Sequence, residues 1–307
     1  MKNLNALSLF AFTLILGTII GGCKKLEGPA DPGSKGKTPD SKYTNPNTST
    51  AVCDYDASDD ELLNNGWTKT FDDEFDGDLS KWSSVNGGMT KELQLYTPAN
   101  TKIVNGVLQI AAKHESVTGP KSVGNDTSQS FSYSSGWMVS KSSFAASNTT
   151  PRIRIVARVK VASGYGLSSL FYSYGNGAWP TAGEIDFLEA QGDNTKVYAT
   201  DYSFGPHPGQ NVVSGGILYN PTTEDLSACY HVYTMEWTEN SLNSYLDGKL
   251  VESKTKGGYV SSLFGKPQYL SLSVPVGGLY YSNINTANIQ GGTMYIDYVK
   301  VFTSNTK

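Results

Sequence analysis

The sequence predicts an all-β fold, an antiparallel sandwich of two packed sheets. Three observations predict it: one long segment alternates apolar and charged residues, one Asp-Gly pair lies between two strand-like runs, and no segment keeps a helical period. Gly, Ser, Thr, Asn and Tyr are plentiful, which is typical of many short strands joined by tight turns. Without crossover helices, parallel pairing of successive strands is not expected.

The alternation is clearest in residues 152–161, where every second residue is apolar and the other phase is mostly Arg or Lys. This pattern predicts a strand with one buried face. Asp247-Gly248 lies within the run Ser244–Val251 and supplies the two positive φ angles of a type I′ turn, so a hairpin is predicted there. Further predicted strands are Val107–Ala112, Val232–Trp237, Leu270–Val276 and Met294–Phe302.

Length and charge limit the function classes. The chain has 307 residues and a formal net charge of -4, which suits one large β domain with an export segment. Acidic and basic residues are interspersed, so no basic block is available to hold a phosphate backbone, and nucleic-acid binding is excluded. We expect a monomer.

Residues 1–22 are typical of an export signal. The mostly apolar stretch from Ala6 to Ile20 is short for a bilayer span. Gly21-Gly22 before Cys23 resembles the lipobox of bacterial lipoproteins, which implies that Cys23 becomes the lipidated first residue of the mature protein. The alternative is an uncleaved anchor helix. Both interpretations place the rest of the chain outside the cytoplasm, and the first attaches it to the bacterial cell envelope, at the outer membrane or cell surface.

Residues 23–50 are rich in Pro, Gly, Ser, Thr, Asn and Lys and contain almost nothing apolar. Such a segment buries too little surface to offset the entropy of ordering, so we predict a disordered tether. The folded domain is then residues 51–307. Two cysteines remain in that domain, Cys53 and Cys229, and an oxidising compartment favours a disulfide between them, with two buried free thiols as the alternative.

Three carboxylates occur within six residues at Glu184, Asp186 and Glu189. Side chains alternate along a strand, so Glu184 and Asp186 share a face while Glu189 is expected on the other. One extra residue, a β-bulge at Phe187 or Leu188, returns Glu189 to the face of its partners. The Cα atoms of the two glutamates are then roughly 13 Å apart, and their long side chains shorten the gap between the carboxyl groups.

Two glutamates facing each other suit retaining glycoside hydrolysis. One attacks the anomeric carbon, while the other protonates the leaving oxygen and later deprotonates water. The third charge, on Asp186, raises at least one pKa in the cluster, and we expect Glu189 to hold the proton and Asp186 to hydrogen-bond Glu184. The alternatives are an exposed acidic strand edge and a metal site.

With its flanks, the acidic segment resembles the catalytic signature of glycoside hydrolase family 16 in its bulged, laminarinase-like form. Matches in the family's order run from about residue 66 to 302. They include Asp73-Glu74-Phe75, Glu92-Leu93-Gln94-Leu95-Tyr96-Thr97, Asn105-Gly106-Val107-Leu108, Trp179-Pro180, Tyr230-His231-Val232-Tyr233, Glu236-Trp237, Asp247-Gly248, Gly277-Gly278 and Asp297-Tyr298-Val299-Lys300-Val301.

The resemblance implies a β-jelly-roll sandwich of concanavalin-like type, with a concave glycan-binding cleft. In it Glu184 is the nucleophile, Asp186 assists and Glu189 is the acid/base of a retaining endo-hydrolase. The implied substrate is a β-linked polysaccharide, most directly a β-1,3 or mixed β-1,3/1,4-glucan. No cofactor is expected for catalysis.

The same resemblance suggests substrate contacts. Trp179 is expected to stack on a sugar face, with a core tryptophan as the alternative. Tyr172 is a second aromatic platform, Glu92 and Gln94 reach the cleft from a neighbouring strand or lie on the surface, and Trp137 occupies a position that is often polar or basic in the family.

A structural calcium is also implied, bound through the backbone carbonyl of Gly106 and the side chain of Asp297, with Glu74 as a third ligand. Oxygen ligands of this kind suit calcium. The alternative is that Asp297 accepts backbone hydrogen bonds.

Departures from the family leave the sugar open. Ser168-Ser169-Leu170 stands where β-glucanases typically have Trp-Pro-Ala, and Ser273-Val274-Pro275 replaces a run that contains Asn. A galactan or a mucin glycan as substrate, transglycosylation in place of hydrolysis, and a non-catalytic glycan-binding lipoprotein are the alternatives.

Overall fold

The computed structural model describes residues 44–209, 213–214, 217–255, 259–279, 281 and 283–306. The predicted signal peptide, Cys23 and most of the predicted tether lie outside these residues. Within the described part, no helix is long and apolar enough to cross a bilayer.

The described residues form one α-helix, three short 3-10 helices and nineteen strands. The helix is α1, Asp59–Asn64, and the 3-10 helices are Pro98–Asn100, Val260–Ser262 and Thr286–Asn288. In chain order the strands are β1 Thr68–Asp73, β2 Trp82–Ser84, β3 Gly87–Gly88, β4 Gln94–Tyr96, β5 Thr101–Val104, β6 Val107–Ser122, β7 Asn125–Ser135, β8 Trp137–Phe144, β9 Arg152–Lys160, β10 Ser168–Gly175, β11 Glu184–Gln191, β12 Val197–Phe204, β13 Val213–Ser214, β14 Leu218–Pro221, β15 His231–Trp237, β16 Ser241–Leu246, β17 Lys249–Thr255, β18 Gln268–Ser273 and β19 Gly292–Ser304.

These strands make two sheets. The eleven-stranded sheet has the order β17-β16-β15-β9-β19-β6-β7-β4-β3, with β1 on β19 and β5 on β6. The eight-stranded sheet has the order β13-β12-β11-β10-β18-β8-β2, with β14 on β12. All pairs are antiparallel except β4 with β7. The predicted all-β jelly-roll sandwich is confirmed.

The core lies between the sheets and follows the alternation in the sequence. Ile153 and Ile155 of β9 and Ile185 and Leu188 of β11 belong to one continuous apolar cluster. The predicted hairpin is confirmed as well, because Asp247 and Gly248 both have positive φ, 49° and 75°. The opposite face of β9 is covered in part by α1, whose Leu62 packs on a small second cluster.

The predicted end of the tether at residue 50 is too late. The amide of Asn45 donates to the carbonyl of Tyr219 at 2.8 Å, and that of Ser49 donates to Pro221 at 2.7 Å. The Asn45 side chain is buried and donates to both Asn220 and Val251 at 3.1 Å. Backbone pairing with the edge strand β14 orders this polar segment, which hydrophobicity alone does not indicate.

The expected disulfide between Cys53 and Cys229 is present, with a Cα–Cα distance of 5.4 Å. It attaches the segment that follows Ser49 to the start of β15. Next to it, the amide of Val52 donates to Asp247 at 2.7 Å. The bond therefore joins the N-terminal segment to the hairpin side of the eleven-stranded sheet.

Replacing Cys53 and Cys229 together by serine is expected to lower the free energy of unfolding by about 3 to 5 kcal/mol, because the bond joins residues 176 positions apart. Urea denaturation of the variant and the wild type measures the difference. Wild type treated with reductant is the matched control and should unfold at the midpoint of the variant. Equal midpoints for oxidised wild type and variant would contradict the prediction.

Candidate active site

The acidic segment lies on β11, a strand near the middle of the eight-stranded sheet. Asp186 pairs with Tyr172 on one side and with Asp201 on the other. Glu189, three residues later, pairs with Leu170 and Ala199, only two residues further along each partner. Strand β11 therefore contains one extra residue directly after Asp186, and the predicted β-bulge is confirmed.

The bulge decides which way the acids point. Phe187 and Leu188 are consecutive, yet both are buried in the core between the sheets. Glu184, Asp186 and Glu189 consequently share the other face, where Glu184 and Glu189 are half-buried. We call this face, which carries the three acids, the open face of the eight-stranded sheet.

Burial raises the pKa of Glu184 to about 7. The indole N–H of Trp179 donates a hydrogen bond to this carboxylate and lowers the pKa, whereas the negative charge of Asp201 raises it. Trp179 and Asp201 therefore act in opposite directions on the pH at which Glu184 ionises.

Asp186 is the most deeply buried of the three acids. Burial raises its pKa well above the usual range, and the charges of Glu184, Glu189 and Asp201 raise it further, while Lys254 lowers it. Burial and the neighbouring acids thus both disfavour the charged form of Asp186. A protonated Asp186 is a hydrogen-bond donor for an ionised Glu184. The expectation that Glu189 also holds a proton stays a prediction.

Trp179 contacts the site through its ring N–H. The side chain is half-buried, and its hydrogen bond to Glu184 was not part of the stacking role predicted from the sequence. The backbone carbonyl of Trp179 accepts from Gly209 at 2.8 Å, which ties the loop before β11 to the loop after β12. Stacking on a sugar stays a prediction.

Changing Trp179→Phe keeps a flat ring but removes the donor, so the pKa of Glu184 should rise. The ionised fraction of the nucleophile then falls, and we expect kcat/KM near neutral pH to drop about tenfold. The acidic limb of the pH profile of kcat/KM should also move to higher pH. A variant with a changed KM and an unmoved acidic limb would show that Trp179 acts by stacking alone.

The predicted platform Tyr172 lies on the open face beside a second tyrosine, Tyr174, which was not predicted. The rings of Tyr172 and Tyr174 stack with centroids 5.9 Å apart. The indole N–H of Trp137 donates to the hydroxyl of Ser271 at 2.7 Å, and Ser271 is the cross-strand partner of Tyr172. Burial raises the pKa of Tyr172 well above its usual value. Tyr172 and Trp137 therefore share one hydrogen-bonded row beside the acids.

Glu92 and Gln94 have different roles in the structure. The amide of Gln94 donates to Glu92 at 2.5 Å and accepts from the backbone of Val276 at 2.8 Å. Gln94 is fully buried, so the prediction that it contacts a glycan is wrong: it orients Glu92 instead. Glu92 remains half-buried, and burial raises its pKa, while hydrogen bonds from Gln94 and Tyr96 lower it.

Asp201, the direct partner of Asp186 on β12, was not predicted as a site residue from the sequence. Burial raises its pKa to about 7, and Lys254 opposes this. Ser203 pairs with Glu184, and Tyr219 of β14 pairs with Ala199, the neighbour of Glu189. No strand was predicted at residues 197–204, and only the pairing register shows that Asp201 lies beside the three acids of β11.

The side chains proposed for calcium already have cationic partners. Asp297 bonds Arg158 at 2.7 Å, and Glu74 bonds Lys300 at 2.8 Å. Gly106 lies in an Asn-Gly turn between β5 and β6 with φ +76°. Among the residues that the structure describes, no group of three or more His, Cys, Asp or Glu side chains is placed to hold a metal ion. The calcium site, which was predicted through a backbone carbonyl as well as these side chains, stays a prediction.

Comparison with known proteins agrees with this geometry. Residues 92–300, more than half of the chain, match the family model described as "Glycosyl hydrolases family 16". "Glucan endo-1,3-beta-glucosidase A1" of Niallia circulans is 29% identical over 267 residues, which cover 77% of this chain and 38% of that protein. "Beta-glucanase" of Rhodothermus marinus is 28% identical over 261 residues, covering 77% of this chain and 85% of that protein.

Among solved structures, the endo-β-1,3-glucanase of Pyrococcus furiosus matches with a TM-score of 0.65 and 28% identity, over 77% of this chain and 94% of that one. The chain thus covers the Pyrococcus structure almost completely, although it spans only 38% of the length of the Niallia protein. With the family match, the bulged acidic strand and the two-sheet sandwich, the chain belongs to family 16 of the glycosyl hydrolases.

Proposed function

We propose that this chain is a retaining endo-glycoside hydrolase that cuts a β-1,3 or mixed β-1,3/1,4-glucan. The observation that carries the proposal is the bulge after Asp186, which brings Glu184 and Glu189 onto one face of the sheet. Relatives named for activity on β-1,3-glucan support the substrate class.

In the proposed reaction, the ionised carboxylate of Glu184 attacks the anomeric carbon. Glu189 protonates the oxygen of the leaving sugar, so that the glycosidic bond breaks and a glycosyl ester forms on Glu184. Glu189 then takes a proton from water, which attacks the same carbon and releases Glu184. Two displacements at one carbon retain its configuration.

Asp186 and Trp179 assist this cycle through Glu184. Each supplies a donor to the carboxylate when it is the anion, and both bonds weaken as negative charge moves into the ester. The half-buried setting strengthens these interactions relative to water. Asp186 is therefore proposed as a positioning residue whose proton stays in place during the reaction.

A polysaccharide panel tests the substrate. Wild type is incubated with β-1,3-glucan, mixed-linkage β-glucan, galactan and mucin glycans, and new reducing ends are measured. We expect internal cuts in the two glucans. Cuts confined to galactan or mucin would move the proposal to another sugar with the same mechanism, and binding without any cut would indicate a glycan-binding protein. Product chains longer than the substrate would reveal transglycosylation.

We also propose that Cys23 carries a lipid that anchors the domain to the cell envelope through residues 24–43. The small-residue pair before Cys23 and the apolar stretch ahead of it support this. Cells that express the full chain should incorporate labelled fatty acid into it, and Cys23→Ala should release it. Equal labelling of both proteins would reject the anchor.

A further inference from the structure

Four central strands of the eight-stranded sheet carry an unusual set of charges. Strands β10, β11, β12 and β18, whose residues are all described, contain no Lys, Arg or His. Their four acids are Glu184, Asp186, Glu189 and Asp201. The first three are needed for the proposed reaction, whereas Asp201 has no step in it.

Asp201 lies where a bound sugar must pass. It pairs directly with Asp186 and is half-buried on the open face, because its neighbours Tyr198 and Tyr202 point into the core. One of its oxygens accepts the backbone N–H of Tyr202 at 2.8 Å, which restrains the side chain. A sugar ring held over Asp186 therefore lies within a few ångströms of this carboxylate.

The cation that lowers the pKa of Asp201, Lys254, approaches from behind the sheet. Lys254 is buried and forms an ion pair with Glu252, whose second oxygen accepts the hydroxyl of Thr200. Thr200 is fully buried and precedes Asp201 on the core-facing side of β12. The ammonium thus offsets acidic charge through the sheet and is not presented to a ligand on the open face.

We propose that Asp201 is a specificity residue that makes the cleft accept neutral glucans and reject chains with carboxylate or sulfate groups on the sugar bound against β12. This inference rests on the proposed function and refines its substrate class. An anionic substituent about 7 Å from a fixed carboxylate, in a partly desolvated cleft, is disfavoured about tenfold. Strands β10, β11 and β18, which continue the sheet from β12, contain no Lys, Arg or His to compensate.

The test compares a neutral β-1,3-glucan with the same glucan carboxymethylated at low density. Wild type, Asp201→Asn and Asp201→Glu are assayed at pH 8, above the pKa of Asp201, and the ratio of kcat/KM on the two substrates is measured. Asp201→Asn should raise relative activity on the carboxymethylated glucan about tenfold. Asp201→Glu keeps the charge and should keep the rejection.

Asp60→Asn is the matched control, because it removes the same charge from exposed α1, far from the open face. It should leave the ratio unchanged. A ratio for Asp201→Asn within twofold of wild type overturns the proposal. If wild type cuts neither glucan, the proposed function fails. Affinity electrophoresis in gels that contain the neutral or the carboxymethylated glucan then tests the role of Asp201. Equal retardation of wild type and Asp201→Asn in each gel overturns the proposal for Asp201.

Discussion

Replacement of Glu184 by alanine is expected to lower kcat on β-glucan by at least about 10⁴-fold, because the covalent intermediate has no nucleophile. The fold should survive, since the side chain is half-buried on the open face and not in the core. Thermal unfolding close to that of wild type checks this. Reducing ends released at the wild-type rate would remove Glu184 from the reaction.

Rescue of Glu184→Ala by azide adds a test of this prediction through the configuration of the product. In Glu184→Ala the lost carboxylate leaves space for a small anion, which attacks the anomeric carbon from the side of the missing nucleophile. One displacement inverts the centre, so the product should be an α-glycosyl azide formed from a substrate with a good leaving group. Glu184→Gln, which fills the space with a neutral amide, is the control and should not be rescued. NMR of the anomeric proton identifies the product.

Replacement of Glu189 by alanine is expected to lower kcat on polysaccharide by about 10² to 10⁴-fold, the usual contribution of a general acid. The loss should be much smaller for a dinitrophenyl glycoside, because that leaving group needs no protonation. The glycosyl ester on Glu184 then accumulates, since no base activates water. A burst of dinitrophenol measures the accumulation.

In this variant azide should react with the ester and give a β-glycosyl azide, the product of two displacements. The pair of variants therefore yields opposite anomers from the same sugar. The same anomer from both variants would contradict the assignment of different roles to Glu184 and Glu189. Equal losses of activity on activated and natural substrates in Glu189→Ala would show that Glu189 is not the general acid. Asp186→Asn separates the third acid: it should give no azide product of its own.

The roles of the three acids were predicted from the sequence because the information is local. Alternation within a strand specifies faces, and the mismatch of Glu189 with that alternation predicted one extra residue after Asp186. The structure has the extra residue there, with Phe187 and Leu188 both in the core. The Asp247-Gly248 hairpin was equally local, because a type I′ turn needs two residues that tolerate positive φ.

Contacts between segments that are far apart in the sequence were harder to predict from the sequence. Gln94 belongs to a motif that resembles the family, and a glycan contact was predicted for it. In the structure it is buried and bonds to Val276, 182 residues away, so it supports Glu92 and does not contact a ligand. Residues 44–50 have the composition of a tether, but backbone pairing with β14 orders them. The composition of a segment indicates how much apolar surface it can bury, but it does not indicate whether the segment can pair with an exposed strand edge.

The sequence by itself determined the strand periods, the bulge, the hairpin turn and the identity of the acids, because each depends on neighbours a few residues away. Only the tertiary structure decided that Asp201 stands beside Asp186, that Trp179 donates to Glu184, and that Arg158 and Lys300 occupy the carboxylates proposed for calcium. Cross-strand register and ion pairing depend on which segments meet in space, and the pattern along one strand does not contain that information.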